Sequence, residues 1–319
     1  MVTSRIRRPH RAGFTLIELL VVIALIATLA ALSAGAFFRV RAGQMKSASE
    51  ATLVKLNTAL DNRWKAIQES VGEDKNKNTI PFQQALRDAG GNPDVARSLL
   101  MYAKVKNELP MSFAEARGTL VAAPPDGLPP NRYYTVVGSI HIGARTNFSV
   151  LPASAANYEE QSAICFYLAV TSSGGGGAMT DGDGLQQQTA DAPSFPGLKL
   201  FKDAWGLPIV FVRHAYTPEV DQPPFVRNAA ATNKDPFDPA GKLPAFMTAY
   251  PVVWSNIMAY TANTPGSANI PATYQGNRNF VPTLVSFGPN KQPEGNLFGG
   301  TDNDNLLSYR LRREGNRGD

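Results

Sequence analysis

The pattern of apolar and polar positions divides this chain before any single motif does. From Phe14 to Phe38 run 25 residues with one charge, Glu18. As a helix rising about 1.5 Å per residue this stretch is ~37 Å long, enough to cross a bilayer core of about 30 Å. Beyond it the pattern turns amphipathic. Leu53, Leu56, Leu60, Trp64, Ile67 and Val71 recur three or four residues apart, while Lys55, Asp61, Arg63, Lys65 and Glu69 fall on other faces. No proline interrupts the chain between Pro9 and Pro81. The pattern predicts one helix from Phe14 to about Val71, with Gly35 as a flexible point and Gly72–Asn78 closing it as a polar loop.

Shorter elements follow. Pro81–Ala89 and Pro93–Lys106 read as helices, the second with proline in its first turn. Residues 110–130 are proline-bearing, with a turn of helix near Phe113–Arg117. Tyr133–Ile142 and Ala163–Thr171 read as strands, rich in aromatic and β-branched residues. Cys165 then becomes a core thiol in a buried strand. Ser172–Gly184, with four consecutive glycines from Gly174, lacks the Gly-Lys-Ser/Thr end of a phosphate loop and reads as a flexible surface loop. Asp181 and Asp183 there read as solvated carboxylates. Tyr216–Pro282 holds ten prolines and is too long for a hairpin connection, although Tyr250–Tyr260 has strand character.

Composition narrows the function. The formal charge of +5 includes four arginines in residues 1–13, so +5 less 4 leaves +1 on the remaining side chains. Nothing in that balance favours nucleic acid. A single cysteine excludes an intrachain disulfide. The three histidines form no His-x-x-x-His pair and there is no cysteine cluster, so zinc has no support. No serine lies in a Gly-x-Ser-x-Gly elbow. The chain reads as a non-enzyme.

The N-terminal junction is more specific. Arg5, Arg7, Arg8 and Arg11 precede Gly13-Phe14, and Glu18 follows inside the apolar run. A carboxylate at mid-bilayer costs roughly 2.5–3.5 kcal/mol on insertion scales, so Glu18 calls for a partner. A plain signal anchor shares the basic-then-apolar order. A secretory signal cut after Ala34-Gly35-Ala36, leaving Phe37 as first residue, shares it too. Neither explains Glu18 or the Gly13-Phe14 junction. Gly13-Phe14-Thr15-Leu16-Ile17-Glu18 and the run after it resemble the leader and first helix of type IV prepilins and type II secretion pseudopilins. The resemblance implies cleavage by prepilin peptidase between Gly13 and Phe14, and methylation of the new Phe14 amine. It further implies that Glu18 pairs with that amine on a neighbouring subunit, making both charges tolerable in an apolar bundle.

A second resemblance lies near the C-terminus. Asp203-Ala204-Trp205-Gly206-Leu207-Pro208 leads into Ile209–Val212. Much later come Thr283–Asn290 and the acidic stretch Gly299–Ser308. This order resembles the major pseudopilin of type II secretion, where a similar box (Asp203, Trp205, Gly206 and Pro208 here) starts a small antiparallel sheet and a following loop binds calcium. Carried over, the calcium ligands are Ser286, Asn290, Asp302 and Asp304. Asn290 stands where the family has an aspartate, which removes a charge and weakens the expected site. An ordinary Asn/Asp-rich turn is the alternative.

The expected fold is α+β, pilin-like, with a long N-terminal helix packed on an antiparallel sheet head carrying large insertions. The expected divisions are a leader at 1–13, a transmembrane or filament-core helix at 14–38, its amphipathic continuation at 39–75, a variable insert at 76–200 and a C-terminal sheet region at 201–319. The expected function is a structural subunit of a periplasmic pseudopilus in type II secretion, anchored in the inner membrane with a cytoplasmic N-terminus. Its expected partners are prepilin peptidase, other subunits and an inner-membrane assembly platform. A minor pilin of a surface pilus or DNA-uptake filament, with a binding role, is the alternative.

Overall fold

The computed structural model describes residues 15–116, 157–171, 185, 188–228, 230–251, 254, 274–290 and 304–315. The architecture is α+β, and the chain divides into two compact units at Lys46/Ser47. Helix α1 is continuous from Leu16 to Lys77. In the first unit its residues are exposed along the apolar run, from Leu16 at 82% to Val40 at 59%. In the second unit Leu53, Leu56, Leu60, Ile67 and Val71 are buried, which is the expected stripe.

The predicted loop at Gly72–Asn78 is instead mostly helix, since α1 ends only at Lys77. Long-range pairs hold these polar turns. Helices α2 (Ile80–Asp88) and α3 (Pro93–Glu108) form a hairpin, and long side chains join α3 to the end of α1. Lys104 pairs with Asp74 and donates to Ser70 Oγ, Arg63 pairs with Glu108, and Lys75 approaches Asp94. Each exposed pair adds little alone, but Lys104 and Arg63 are largely shielded and act in series along one seam. Asn92 caps α3 by accepting from the Asp94 and Val95 amides. A short helix, α4, occupies Phe113–Ala116.

The strand expected at Ala163–Thr171 is part of a helix, α5 (Tyr158–Thr171). Gln161 to Phe166, Ala169 and Val170 are all buried, so the segment is apolar around most of its circumference and loses the 3.6-residue periodicity that would mark it. Glu159 and Glu160 sit in its first turn, where the helix dipole favours them. Cys165 is a buried thiol as expected, but on a helix. The strand expected at Tyr133–Ile142 lies outside the described residues. Of Tyr250–Tyr260, the described Pro251 and Trp254 are helical rather than extended.

Two antiparallel sheets complete the second unit. Strands β1 (Thr189–Ala192) and β2 (Phe195–Phe201) form a hairpin. Strands β3 (Val210–Ala215), β4 (Val281–Ser286) and β5 (Leu306–Leu307) form a sheet in that order, with Phe211 opposite Leu284 and Val285 opposite Leu307. All six residues of β3 are buried. Its outer edge is occupied from Ile209 to Arg213: the amides of Ile209, Phe211 and Arg213 donate to Phe201 O, Ser162 Oγ and Met111 Sδ. Ser162 also donates back to the Phe211 carbonyl at 2.5 Å. Helix α6 (Leu243–Ala249) and the C-terminal α7 (Ser308–Gly315) follow.

Candidate functional site: helix start and head box

Thr15 and Glu18 open α1 with a reciprocal cap. The Glu18 carboxylate accepts from the Thr15 amide and hydroxyl, both at 2.9 Å, and the Glu18 amide donates to Thr15 Oγ1 at 3.3 Å. This is a capping box, Thr-x-x-Glu, which satisfies two of the amides at the helix start that have no helical acceptor. Its position explains how a charge is carried at the head of an apolar helix: one carboxylate oxygen has two donors from its own turn. Gly13 and Phe14 lie outside the described residues.

The C-terminal box forms a tight turn against α1. Asp203 Oδ1 accepts from the Trp205 and Leu207 amides, both at 2.9 Å, and its Oδ2 accepts from Ser286 Oγ at 2.7 Å. The Gly206 amide donates to the Asp203 carbonyl, and Gly206 takes φ +87°, a conformation open to glycine. The Ala204 amide donates to Ser49 Oγ on α1. Pro208 bridges to Lys202, closing the turn before β3. Trp205 is half-buried. Asp203 is therefore the centre of the box, joining the turn to the end of β4. Burial raises its pKa, and the bonds from Ser286, Leu207 and Trp205 oppose that rise.

Of the residues carried over as calcium ligands, Ser286 is buried and donates to Asp203. Asn290 and Asp304 are brought together: the Asn290 amide donates to Asp304 Oδ2 at 3.3 Å. Two residues before Asn290, Gly288 has φ +69°, and a Cβ there would stand 2.5 Å from the Asp304 carbonyl oxygen. Asp304 Oδ1 is buried with no hydrogen-bond partner among the described residues. Asp302 lies outside the described residues. The described residues hold no cluster of three or more His, Cys, Asp or Glu side chains suited to a metal.

Sequence reasoning missed two buried polar centres. On β3, Arg213 forks onto Glu115 of α4 at 2.6 and 3.1 Å and donates to the Leu109 carbonyl. Burial pushes the Glu115 carboxyl up, but Arg213, Lys106 and the Met111 amide bring it below its ordinary value. Burial lowers Lys106 to about 8. Beside them His214 sits within β3, with Phe280 edge-on at 4.7 Å. Burial, then Arg213 and Lys106, push its pKa well below the usual range. The second centre is Asp235, whose Oδ2 accepts from Tyr102 and Tyr274 at 2.8 and 2.7 Å. Arginine and histidine inside a β-pattern were the available signals; no local spacing links them to Glu115 or Lys106.

The comparison with known families bears on the helix start. Residues 8–34 match the family model of the prokaryotic N-terminal methylation motif. The chain carries a type IV pilin-like N-terminal signal. The match spans Gly13, Phe14 and Glu18 and ends within the exposed apolar part of α1. Such a motif implies processing by prepilin peptidase and assembly with other pilin-type subunits, and it points to a structural subunit rather than an enzyme. The same helix is long and apolar enough to cross a membrane, and none of its most apolar stretch is buried, which is consistent with membrane anchoring. No curated protein and no solved structure shows a significant match to the chain.

Proposed function

We propose that this chain is a structural subunit of the pseudopilus of a type II secretion system. The methylation motif, set on an exposed apolar helix that opens with Glu18, carries the pilin-like part of this reading. The Asp203 box, bonded through Ser286 to the end of β4, supports the secretion type. After cleavage, the Phe14 amine and the Glu18 carboxylate of a neighbouring copy neutralise one another, and the apolar run forms the filament core. The leader faces the cytoplasm and the second unit the periplasm. N-terminal sequencing of the mature chain should begin at methylated Phe14, and Glu18→Ala should leave membrane insertion intact while abolishing cross-linked multimers. Cross-linking equal to wild type would overturn the filament reading.

Calcium is part of this proposal. Its support is Asp304, whose buried Oδ1 is an acceptor that a cation would use, with the Asn290 backbone close by; the Asn290 side-chain oxygen would join it. Asp302 would join them. When bound, the ion would offset the carboxylate charge and tie the turn after β4 to the segment before β5. Thermal unfolding with calcium and with chelator tests this: a rise in Tm that Asp304→Ala removes is expected. An unchanged Tm at millimolar calcium would leave an ordinary turn.

A minor pilin with a binding role is the second reading, favoured by the size of the second unit, Ser47–Asp319. Loss of protein secretion on deletion supports the first reading; intact secretion with lost adhesion or DNA uptake supports the second.

A further inference from the structure

Cations flank the apolar run at both ends. Before it stand Arg5, Arg7, Arg8 and Arg11; after it come Arg39, Arg41 and Lys46. The second group lies on α1, and all three are exposed. No acidic residue lies between Glu18 and Glu50, so Arg39 and Arg41 have no carboxylate within two helical turns in sequence, whereas Lys46 stands one turn from Glu50. At 3.6 residues per turn, Arg39 and Arg41 point roughly 200° apart, and Lys46 returns to the Arg39 side. Arg39 and Arg41 thus lie on opposite sides of the helix instead of forming one face, as an ion-pair stripe with another helix would require. They begin where the apolar run closes, at Phe37 and Phe38, which are 61% and 65% exposed and meet edge to face.

We propose that Arg39 and Arg41 form a cationic collar that binds the phosphates of anionic phospholipids in the leaflet opposite the leader. This rests on the membrane-spanning reading above. The charge sign, the placement on opposite sides of the helix and the position at the end of a membrane-length run all fit headgroup phosphates. Guanidinium presents a fork to phosphate oxygens, and its stem reaches to the interface while the helix axis stays in the apolar layer. The collar also gives leader removal a second effect. Cleavage takes four arginines from one side of the membrane and leaves the collar on the other. The mature helix is then held by charge chiefly at the far leaflet, the side toward which a subunit must leave for a filament.

The test uses the full-length chain in vesicles of phosphatidylcholine alone, or with phosphatidylglycerol, followed by flotation and mass spectrometry of co-purified lipid. The chain should float with both compositions and retain phosphatidylglycerol preferentially. Each arginine removed should lower that preference about fivefold, so R39Q/R41Q should lose most of it while R39K/R41K keeps it. Undiminished preference in R39Q/R41Q, or none in the wild type when it floats normally, would overturn the collar alone. Failure to float with either composition would overturn the membrane reading and the collar with it.

Discussion

Asp203→Ala should be among the most damaging single changes in the second unit. The residue is 3% exposed and accepts from the Trp205 amide, the Leu207 amide and the Ser286 hydroxyl. Removing the carboxylate leaves three donors without their acceptor, and Ser286 is fully buried. Each bond to a charged group contributes about 1.5–3 kcal/mol, but the carboxylate also loses hydration, which its raised pKa records. The expected net loss is roughly 3–4 kcal/mol. Asp203→Asn keeps an oxygen for the two amides and removes the buried charge, so it should cost about 1 kcal/mol or less at neutral pH. The sign of the pH effect follows from the raised pKa. Protonated Asp203 suits its site better than ionised Asp203, so its contribution is full below the unfolded value of about 3.9 and is lost as pH rises through the folded value. Asp203→Asn should remove that part of the slope. Urea unfolding of wild type, D203A, D203N, S286A and D203A/S286A at several pH values measures all of this. A D203A loss below about 0.5 kcal/mol, or no coupling between positions 203 and 286 in the double-mutant cycle, would refute the assigned geometry.

Three further outcomes can be checked by denaturation. Glu115→Ala should cost about 3–5 kcal/mol because it strands Arg213, which is 0% exposed, without its carboxylate; a loss no larger than at a surface site would sink the pair. Because the His214 pKa is depressed, its contribution is present above the unfolded value of about 6.5 and is lost as pH falls from there toward the folded value, so wild-type Tm should drop across that window and a His214→Leu variant should drop less. Gly288→Ala should destabilise by more than about 2 kcal/mol, since a positive φ and a close backbone oxygen act together; near-neutral behaviour would mean that the turn does not approach Asp304.

The helical stripe on α1 and the two short helices after it were legible because amphipathic spacing and proline caps are local signals. Helix α5 was misread because burial on most sides erased its period, and Ile164, Phe166, Tyr167 and Val170 suit a strand as well as a helix. The length of α1 was underestimated because Asp74 and Lys75 find their partners on α3, some 20–30 residues later in the sequence. In the site, Glu18 was visible as a lone charge in an apolar run, and its cap with Thr15 follows from adjacency. The Asp203–Ser286 bond joins positions 83 residues apart, so the two resemblance segments named both partners but not their bond.

The closed edge of β3 limits how copies of this protein can join. A strand with unspent amides is a template for a strand from another molecule, and crowding identical heads together raises that hazard. Here a helix serine and a methionine sulfur occupy the amides of Phe211 and Arg213 that such a visitor would need. Two copies held side by side therefore cannot merge their sheets through β3 without first dislodging α5. Contact between neighbours across this edge is left to side chains and to α5, which can slide, separate and be reused.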